Sequence, residues 1–444
     1  MPPSDRFRYD GFAIDPVEST VVCRYRTGSH IFTERFAFAS GGDWDDPAVV
    51  AAVRILYLLA GVSYYKTTAA PLIDLGELST TAAERDFLHD FYVHGLGEFA
   101  YRNELDLRGL RVEGPDAGSV VPLAYSPEPD RPLIPFGGGI DSIVTVAALS
   151  ADHPGAALCV VEPPGERFAA IEDAAAVTAL PVTRVARVID PSVRRSAELG
   201  FLNGHVPVTA IIGAAVLVGA VLERRDAVVL SNEWSASVPT LVADGFAVNH
   251  QWSKSEAFEQ AFGDLVRTTF GPDLSVFSYL RPRTELWVAQ QFAGLTKYHR
   301  TFRSCNRAFH QDPAQRLDHW CGRCDKCCFV DLVLAPFLAR DDLESVFAGD
   351  EPLQNRDNEE RFRTLLGLGS GVKPFECVGD VDECRAALVL AAARADRAGP
   401  GLVARLRAEL GEAAPPDPSA LLQPRGTHHI PERYAPADLL VRAR

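Results

Sequence analysis

The chain has 444 residues, of which 47% are hydrophobic and 23% are charged, a composition typical of globular proteins with sizeable buried cores. This composition argues against a disordered, collagen-like or disulfide-scaffold protein, and the length predicts two or three domains. The net charge of −15 argues against a broad nucleic-acid-binding surface, because such a surface needs clustered cations.

The amino-terminal segment contains no apolar signal core, and the longest apolar run in the chain is VPVTAIIGAAVLVGAVL at 206–222. Seventeen residues rich in Ala and Gly are short for a membrane span, so the run predicts a buried helix of an α/β domain. We therefore expect a cytoplasmic protein with neither a membrane nor a nucleic acid as partner. In that compartment the nine cysteines are expected to be thiols or metal ligands rather than disulfides.

Residues 1–125 predict an amino-terminal α+β domain. FRYDGFAI at 7–14 and STVVCRYR at 19–26 alternate as strands do, and HIFTERFAF at 30–38 predicts a third strand. Helices are predicted at 47–60 and 82–103.

Residues 126–300 predict a parallel sheet with helices on both faces. Short apolar segments, LIPF (133–136), AALCVV (156–161), VTRVARV (182–188) and DAVVLSN (226–232), alternate with helical ones. Residues 301–335 form a cysteine-rich module, and 336–444 predict a helical region with an extended tail.

The sharpest local signal is the loop PFGGGIDS at 135–142, where a buried strand ends and a helix begins. Gly137, Gly138 and Gly139 allow close backbone approach, and the free N–H groups and dipole of the helix predict an anion site. Asp141 and Ser142 are the first residues of the predicted helix. We expect them to orient Mg²⁺ or phosphates; the alternative is that they only form a favourable helix N-terminus. The structural alternative is an ordinary glycine-rich turn.

Four cysteines, Cys305, Cys321, Cys324 and Cys327, follow the spacing C-x15-C-x2-C-x2-C. Such a set is typical of a structural zinc site, with an iron–sulfur cluster and a group of buried thiols as the alternatives. The remaining isolated cysteines are expected to be core residues: Cys23, Cys159, Cys377 and Cys384.

The glycine loop resembles the SGGxDS motif of the PP-loop ATP pyrophosphatases, with Gly137 where that superfamily has Ser. The resemblance implies a PP-loop (HUP-like) ATP-binding domain that releases AMP and pyrophosphate. With SCN at 304–306 and CGRCDKC at 321–327, the central half is also similar to the 7-cyano-7-deazaguanine synthases.

A longer resemblance is to the MurL family of UDP-N-acetyl-α-D-muramoyl-L-alanyl-L-glutamate epimerases. It is carried by the loop and by NGHVPVTAI (203–211), SNEWSAS (231–237), VNHQWSKSEAFE (248–259), FSYLRPRTEL (277–286) and CGRCDKCCFV (321–330). It implies an isomerase of peptidoglycan precursor synthesis that turns the terminal L-Glu of UDP-MurNAc-L-Ala-L-Glu into D-Glu, using ATP and Mg²⁺. It also implies a link to a ligase that adds L-Glu to UDP-MurNAc-L-Ala.

Residues at strand ends are the candidates for ATP and catalysis, because ligands of open α/β sheets bind there. Glu162 follows one strand, and Ser231, Asn232 and Glu233 follow another. We expect Glu162 and Ser231 to bind ATP and Asn232 to bind substrate. Glu233 is a candidate Mg²⁺ ligand or base, or else a solvated loop acid.

Polar residues flanking the apolar helix complete the candidate set. Asn203 and His205 are expected to contact the substrate, although a histidine at a helix start is often only a surface residue. His250 and Lys254 are candidates for proton transfer or phosphate contact, and Lys254 is one of only five lysines.

Arg281 and Arg283 would bind the diphosphate and carboxylates of the implied substrate, or pair with Glu285. Two other functions stay open at this point. One is a PP-loop ligase or amidating enzyme for a nucleobase or tRNA, and the other is a non-catalytic nucleotide-binding module.

Overall fold

The computed structural model describes residues 4–119, 121–310, 312–369, 373–413, 415 and 417–440. Its strands are Phe7–Asp15 (β1), Thr20–Thr27 (β2), His30–Phe38 (β3), Leu72–Asp74 (β4), Arg111–Glu113 (β5), Glu128–Pro135 (β6), Ala157–Glu162 (β7), Val182–Val188 (β8), Arg225–Leu230 (β9), Leu241–Ala243 (β10), Phe246–Val248 (β11) and Ser275–Ser278 (β12).

The helices are Pro47–Ala60 (α1), Val62–Tyr65 (α2), Ala82–Gly95 (α3), Gly97–Arg102 (α4), Ile140–Leu149 (α5), Ala169–Thr178 (α6), Ser196–Leu199 (α7), Val208–Leu222 (α8), Glu256–Phe270 (α9), Glu285–Ala293 (α10), Asp325–Leu334 (α11), Arg340–Val346 (α12), Glu359–Leu365 (α13), Val381–Ala392 (α14), Leu402–Leu410 (α15) and Ala437–Leu440 (α16).

Ten of the strands form one mixed sheet in the order β12-β9-β6-β7-β8-β3-β2-β1-β4-β5. The five strands from β12 to β8 run parallel, and β9 is buried along its whole length, as expected of a strand covered on both faces. The structure therefore confirms a mixed α/β fold with a large, mostly parallel sheet.

The amino-terminal strands lie where their alternation predicted them, and they pair as an antiparallel meander. Strand β3 then pairs with β8 of the central sheet, with Arg35 opposite Val188. The sheet thus continues across residue 125, and the division of the chain into domains there stays a prediction. The helix predicted at 82–103 is interrupted at Leu96 and forms α3 and α4.

The apolar run at 206–222 forms α8 after Pro207, and most of this helix is buried against α1 and the sheet. The stretch Pro47–Tyr65 is long and apolar enough to cross a membrane, but 83% of it is buried inside the fold, as in a core helix. Helices α1 and α8 therefore form an apolar layer against the sheet, in one of the two apolar clusters of the described residues.

The strand order reverses between β6 and β9, with β7 and β8 on one side and β12 on the other. Ligands of open α/β sheets bind at the carboxyl ends of the strands at such a reversal. The segments that follow β6 and β9 are therefore the expected place for a bound ligand.

Candidate functional site

The glycine loop connects β6 to α5 and packs tightly against the start of α6. Gly138 has φ +74°, and a Cβ atom there would lie 2.2 Å from the carbonyl oxygen of Ala170. Only glycine fits this position, since a side chain would be both strained and in collision. Gly139 is the N-cap residue of α5, so the unpaired N–H groups of the first turn face the loop.

A cavity of about 380 Å³ lies beside the loop at the carboxyl edge of the sheet. Half of the twelve residues predicted to bind ATP or substrate line this cavity, together with Lys254: Gly137, Gly139, Asp141, Ser142, Ser231 and Asn232. Asn232 is fixed by a hydrogen bond of 3.0 Å from its Nδ2 to Ser278 Oγ.

Three carboxylates meet at the cavity edge: Asp141, Glu233 and Glu285 each offer an oxygen within 4.8 Å of the others. Burial and the charge of Glu233 raise the pKa of Asp141 to about 6, and burial with both neighbours raises the pKa of Glu285 well above its ordinary value. Among the described residues, neither Asp141 Oδ1 nor Glu285 Oε2 has a hydrogen-bond partner. Buried carboxylate oxygens without partners suit a bound cation.

Glu285 was expected only as a partner of the two arginines, and this was wrong. Within the described part of the chain it forms an ion pair with neither Arg281 nor Arg283, and it lies in the carboxylate cluster instead. Glu285 is the first residue of α10. It lies more than fifty residues after Glu233 in the chain, so no local sequence pattern could predict that the two carboxylates are neighbours.

Lys254 contributes a cation to the cavity wall. Burial alone would lower the pKa of Lys254, but Cys377 and the nearby carboxylates raise it above its ordinary value. The ammonium therefore stays protonated at neutral pH. A fixed positive charge at this place can stabilise phosphate or carboxylate oxygens.

Arg281 is buried. Its guanidinium pairs with Glu259 at 2.8 Å and donates to the backbone carbonyls of Glu233 at 2.7 Å and Lys254 at 2.6 Å. It thus connects two segments that carry predicted catalytic residues. Its predicted substrate contact stays a prediction, while the observed contacts give it a positioning role.

Arg283 and Glu162 also lie in ion pairs. Arg283 binds Asp438 at 2.6 Å, and Glu162 binds Arg184 at 2.8 Å and also Arg167. Neither is among the residues that line the cavity. Their predicted contacts with substrate and ATP stay predictions.

A second polar group lies between α4 and the segment before Lys254. His250 Nδ1 hydrogen-bonds to Glu98 Oε2 at 2.5 Å, and the ring of His205 lies 4.2 Å from that of His250. Burial lowers the pKa of His205 to about 4, so this ring is neutral at pH 7. Asn203, also predicted to bind substrate, accepts a hydrogen bond of 2.6 Å from Lys66.

Cys377 is not the core residue that the sequence analysis expected. It is half-buried, and its side chain interacts with His250 and with the charges of Lys254 and Lys326. Burial would raise the pKa of this thiol, but these groups lower it to about 6. No spacing pattern marks Cys377, because its neighbours come from distant parts of the chain. Cys23, Cys159 and Cys384 are buried as predicted.

The four cysteines of the module come together at the start of α11, with one sulfur each within 4.8 Å of the others. The Sγ atoms of Cys324 and Cys327 lie 3.4 Å apart, and Cys324 Sγ also accepts the N–H of Cys327. Four sulfurs around one tetrahedral zinc, with Zn–S near 2.3 Å, lie about 3.8 Å apart. The cluster could therefore hold a metal ion.

Two family models match this chain, the MurL N-terminal domain over residues 2–279 and the MurL C-terminal domain over residues 301–420. Three curated proteins named UDP-N-acetyl-alpha-D-muramoyl-L-alanyl-L-glutamate epimerase are similar to it. That of Xanthomonas oryzae pv. oryzae is 39% identical over 89% of this chain and 86% of its own length. Those of Salinispora tropica and a Micromonospora species are 38% and 36% identical, over 87% and 98% of this chain and 83% and 97% of their own lengths. No solved structure matches.

Proposed function

This chain belongs to the MurL family of UDP-N-acetyl-α-D-muramoyl-L-alanyl-L-glutamate epimerases, and from that membership we propose that it epimerises the terminal L-Glu of UDP-MurNAc-L-Ala-L-Glu to D-Glu. The enzyme is an isomerase of peptidoglycan precursor synthesis. The reaction consumes ATP and releases AMP and pyrophosphate.

ATP solves the chemical difficulty of this epimerisation. The α-proton of a carboxylate is very weakly acidic, because its removal places a second negative charge beside the first. In the proposed reaction the α-carboxylate attacks the α-phosphorus of ATP, and pyrophosphate leaves. The resulting acyl-adenylate has lost the carboxylate charge, so a base can remove the α-proton and a proton can return on the opposite face. Water then releases AMP and the D-Glu carboxylate.

The glycine loop is the proposed pyrophosphate site of a PP-loop domain. The backbone approaches closely at Gly138, and the first turn of α5 offers N–H groups and a positive dipole end. Gly137 supplies a backbone contact where the related motif has a serine hydroxyl. Ser142 Oγ donates to the Gly139 carbonyl at 3.1 Å, which stabilises the loop rather than extending toward a ligand.

Asp141, Glu233 and Glu285 are the proposed Mg²⁺ ligands. The oxygens without partners on Asp141 and Glu285 fit a hard cation, which prefers carboxylate ligands and pairs with phosphates. When bound there, Mg²⁺ would neutralise charge on the pyrophosphate. Lys254 adds a permanent positive charge on the same wall of the cavity.

The cysteine cluster is proposed to hold one structural zinc ion. A closed set of four thiolates leaves no open position for a substrate, so this ion would stabilise the module and not the reaction. The sulfurs lie closer together than the cysteines of a multi-iron cluster, which favours a single ion. The module orients the start of α11 and with it Lys326.

The meeting of the glycine loop, the carboxylate cluster and Lys254 at one cavity carries the proposal, because acyl-adenylate formation needs all three. We also propose a cytoplasmic location and a preceding ligase that adds L-Glu to UDP-MurNAc-L-Ala, since the substrate is a nucleotide-linked dipeptide.

The test is to incubate the protein with ATP, Mg²⁺ and UDP-MurNAc-L-Ala-L-Glu and to measure pyrophosphate, AMP and the chirality of the glutamate that acid hydrolysis frees from the product. We expect D-Glu to appear only with ATP, together with both ATP products. Pyrophosphate and AMP without D-Glu would indicate a ligase that lacks its acceptor, and D-Glu without ATP would exclude the adenylate route.

A further inference from the structure

The start of the cysteine module packs directly on the glycine loop. The backbone N–H of Arg303 donates a hydrogen bond of 3.3 Å to the carbonyl of Gly138. The side chain of Ser304 lies beside Gly139, 3.7 Å from the place where a Cβ atom on that glycine would be. Cys305, the first cysteine of the quartet, comes next in the chain. The module and the loop are therefore in contact at the edge of the cavity.

Phe309 brings the module into the cavity itself. It is the last residue of the short 3₁₀ helix Asn306–Phe309, which follows Cys305, and its side chain lines the cavity. The centre of its ring lies 5.6 Å from that of Phe168, which precedes α6 and lines the same cavity. The two rings contact each other at a tilt of 38° and are half-buried, so they form one continuous aromatic wall rather than a slot.

Two arginines of the module fix this aromatic wall. The guanidinium carbon of Arg316 lies 4.3 Å from the centre of the Phe168 ring, and its charge pairs with Glu166. Arg303 pairs with Asp173 of α6. These contacts hold the module against α6 and the segment before it, so the two rings are held together although they are far apart in the chain.

The order of the strands gives the cavity two chemically different sides. Strand β6, which leads into the glycine loop, lies between β7 and β9. The end of β7 contributes the apolar side chains of Cys159 and Val161, next to the aromatic wall, whereas the chain after β9 contributes Ser231, Asn232 and Lys254. ATP has a matching polarity, with a flat base at one end and phosphates at the other. With the phosphates at the loop, the base fits the β7 side and the reacting glutamate the β9 side.

We propose that Phe309 and Phe168 bind the adenine base of ATP, and that the cysteine module thereby completes the nucleotide site. This inference rests on the proposed function and names the residues that hold the base. Aromatic side chains stack on the flat face of a base and shield it from water. A metal ion held by the quartet would act on this site through Cys305 and the short helix that follows it, and not on the reacting atoms.

The uracil of the substrate is the other flat base in the reaction. The position of the wall favours adenine, because adenosine is attached directly to the α-phosphate that the glycine loop is proposed to hold. Uracil is separated from the reacting glutamate by two phosphates, a sugar and an alanine. The experiment therefore includes both nucleotides.

The test measures binding of the base and of the phosphates separately in the full-length protein. Calorimetry gives the dissociation constants of Mg–ATP and of Mg–tripolyphosphate, which has the phosphates but no base, for wild type and Phe309→Ala. Loss of stacking should weaken ATP binding by about 5–100-fold and leave tripolyphosphate binding close to that of wild type. Phe309→Tyr keeps an aromatic ring and should restore ATP binding.

Phe337→Ala is the matched control. Phe337 is also half-buried and packs against the same apolar cluster as Phe309, but it does not line the cavity. We expect its replacement to leave both dissociation constants unchanged.

Three results would overturn the assignment. Wild-type ATP affinity in Phe309→Ala would exclude a contact with the base, and an equal loss of ATP and tripolyphosphate binding would make Phe309 a purely structural residue. Weaker binding of UDP-MurNAc-L-Ala-L-Glu with unchanged ATP binding would assign the aromatic wall to uracil. A wild-type protein that binds ATP but forms no AMP with the substrate would instead refute the proposed function, so the two failures are distinct.

Discussion

The guanidinium of Arg281 donates a hydrogen bond of 2.6 Å to the backbone carbonyl of Lys254, a residue 27 positions earlier in the chain. The same group binds the carbonyl of Glu233 and the carboxylate of Glu259. One buried cation therefore sets the separation between a cavity lysine and a carboxylate of the proposed Mg²⁺ site. Arg281 does not line the cavity, but through these contacts it should affect the reaction rate by positioning Lys254 and Glu233.

Replacing Arg281 by Ala should destabilise the protein by about 3–5 kcal/mol, because Glu259 would be left as an uncompensated buried charge. Arg281→Lys keeps a charge near Glu259 but cannot donate to both carbonyls, so it should cost less stability and still reduce turnover by about tenfold or more. Thermal unfolding and epimerase rates measure the two effects. Arg267→Ala, at an exposed surface pair, is the control and should change stability by less than about 0.5 kcal/mol. If Arg281→Lys turned over substrate at the wild-type rate, the proposal that Arg281 positions Glu233 and Lys254 would be wrong.

Gly138→Ala should impair ATP use, since the added Cβ would meet the Ala170 carbonyl at 2.2 Å and the backbone has φ +74°. The loop must shift, and a displacement of this kind reduces rates by about 10²-fold. Pyrophosphate exchange at varied ATP concentration measures the loss. Gly137→Ala is the matched control, because a Cβ there meets no atom within 4 Å. If both substitutions reduced pyrophosphate exchange equally, the close packing of Gly138 against Ala170 would not be the cause of the loss.

Asp141→Asn should weaken Mg²⁺ activation, because it removes one of three clustered carboxylate charges while preserving size. We expect the Mg²⁺ concentration for half-maximal pyrophosphate release to rise by about tenfold or more. The measurement is a Mg²⁺ titration at saturating ATP. Asp264→Asn, on an exposed part of α9, should leave the titration unchanged. An unchanged titration for Asp141→Asn would place Mg²⁺ elsewhere.

Cys324→Ser should release the metal from the cysteine module. The purified wild-type protein should contain about one zinc ion per chain, and the variant much less. Elemental analysis and thermal unfolding test this, and the loss of the ion should lower the unfolding temperature of the module. Cys328→Ala is the control, because Cys328 is adjacent but outside the quartet. Iron and sulfide in place of zinc would overturn the assignment of the ion.

Glu98→Gln should alter the pH dependence of the reactivity of the Cys377 thiol. Glu98 raises the pKa of His250, so loss of its charge should lower that pKa from about 9 toward its ordinary value. A less protonated His250 stabilises the Cys377 thiolate less, and the pKa of the thiol should rise from about 6. Alkylation of Cys377 by iodoacetamide, followed by peptide mass spectrometry from pH 5 to pH 9, measures this. If the substitution left the pH midpoint of alkylation unchanged, Glu98 would have no effect on the pKa of the Cys377 thiol.

Local patterns were sufficient for the glycine loop, α8 and the cysteine quartet. In each of these the chemistry lies within a short stretch of chain or in a strict spacing, as in the three glycines before Asp141. Ser231 and Asn232, which follow β9, lie in the same cavity as the loop, because strand ends in a parallel sheet share one edge. Lys254, which the sequence offered for phosphate contact or proton transfer, also lines that cavity, and its role stays a prediction.

Long-range contacts account for what sequence patterns missed. Glu285 joins Asp141 only because α10 and α5 pack together, and Cys377 meets His250 across more than 120 residues. The substrate contact predicted for Arg281 stays a prediction, but its observed role as a partner of Glu259 was not foreseen. Its burial against Glu259 depends on the docking of α9, which no local signal encodes.

In the proposed reaction, adenylation makes the glutamate α-proton exchangeable. Deuterium at that carbon, measured by mass spectrometry after incubation with UDP-MurNAc-L-Ala-L-Glu and Mg²⁺ in D₂O, tests it most directly. We expect deuterium incorporation with ATP, and none without ATP or with an ATP analogue that cannot be cleaved between the α- and β-phosphates. Incorporation that is independent of ATP, or AMP formation with no incorporation, would contradict it.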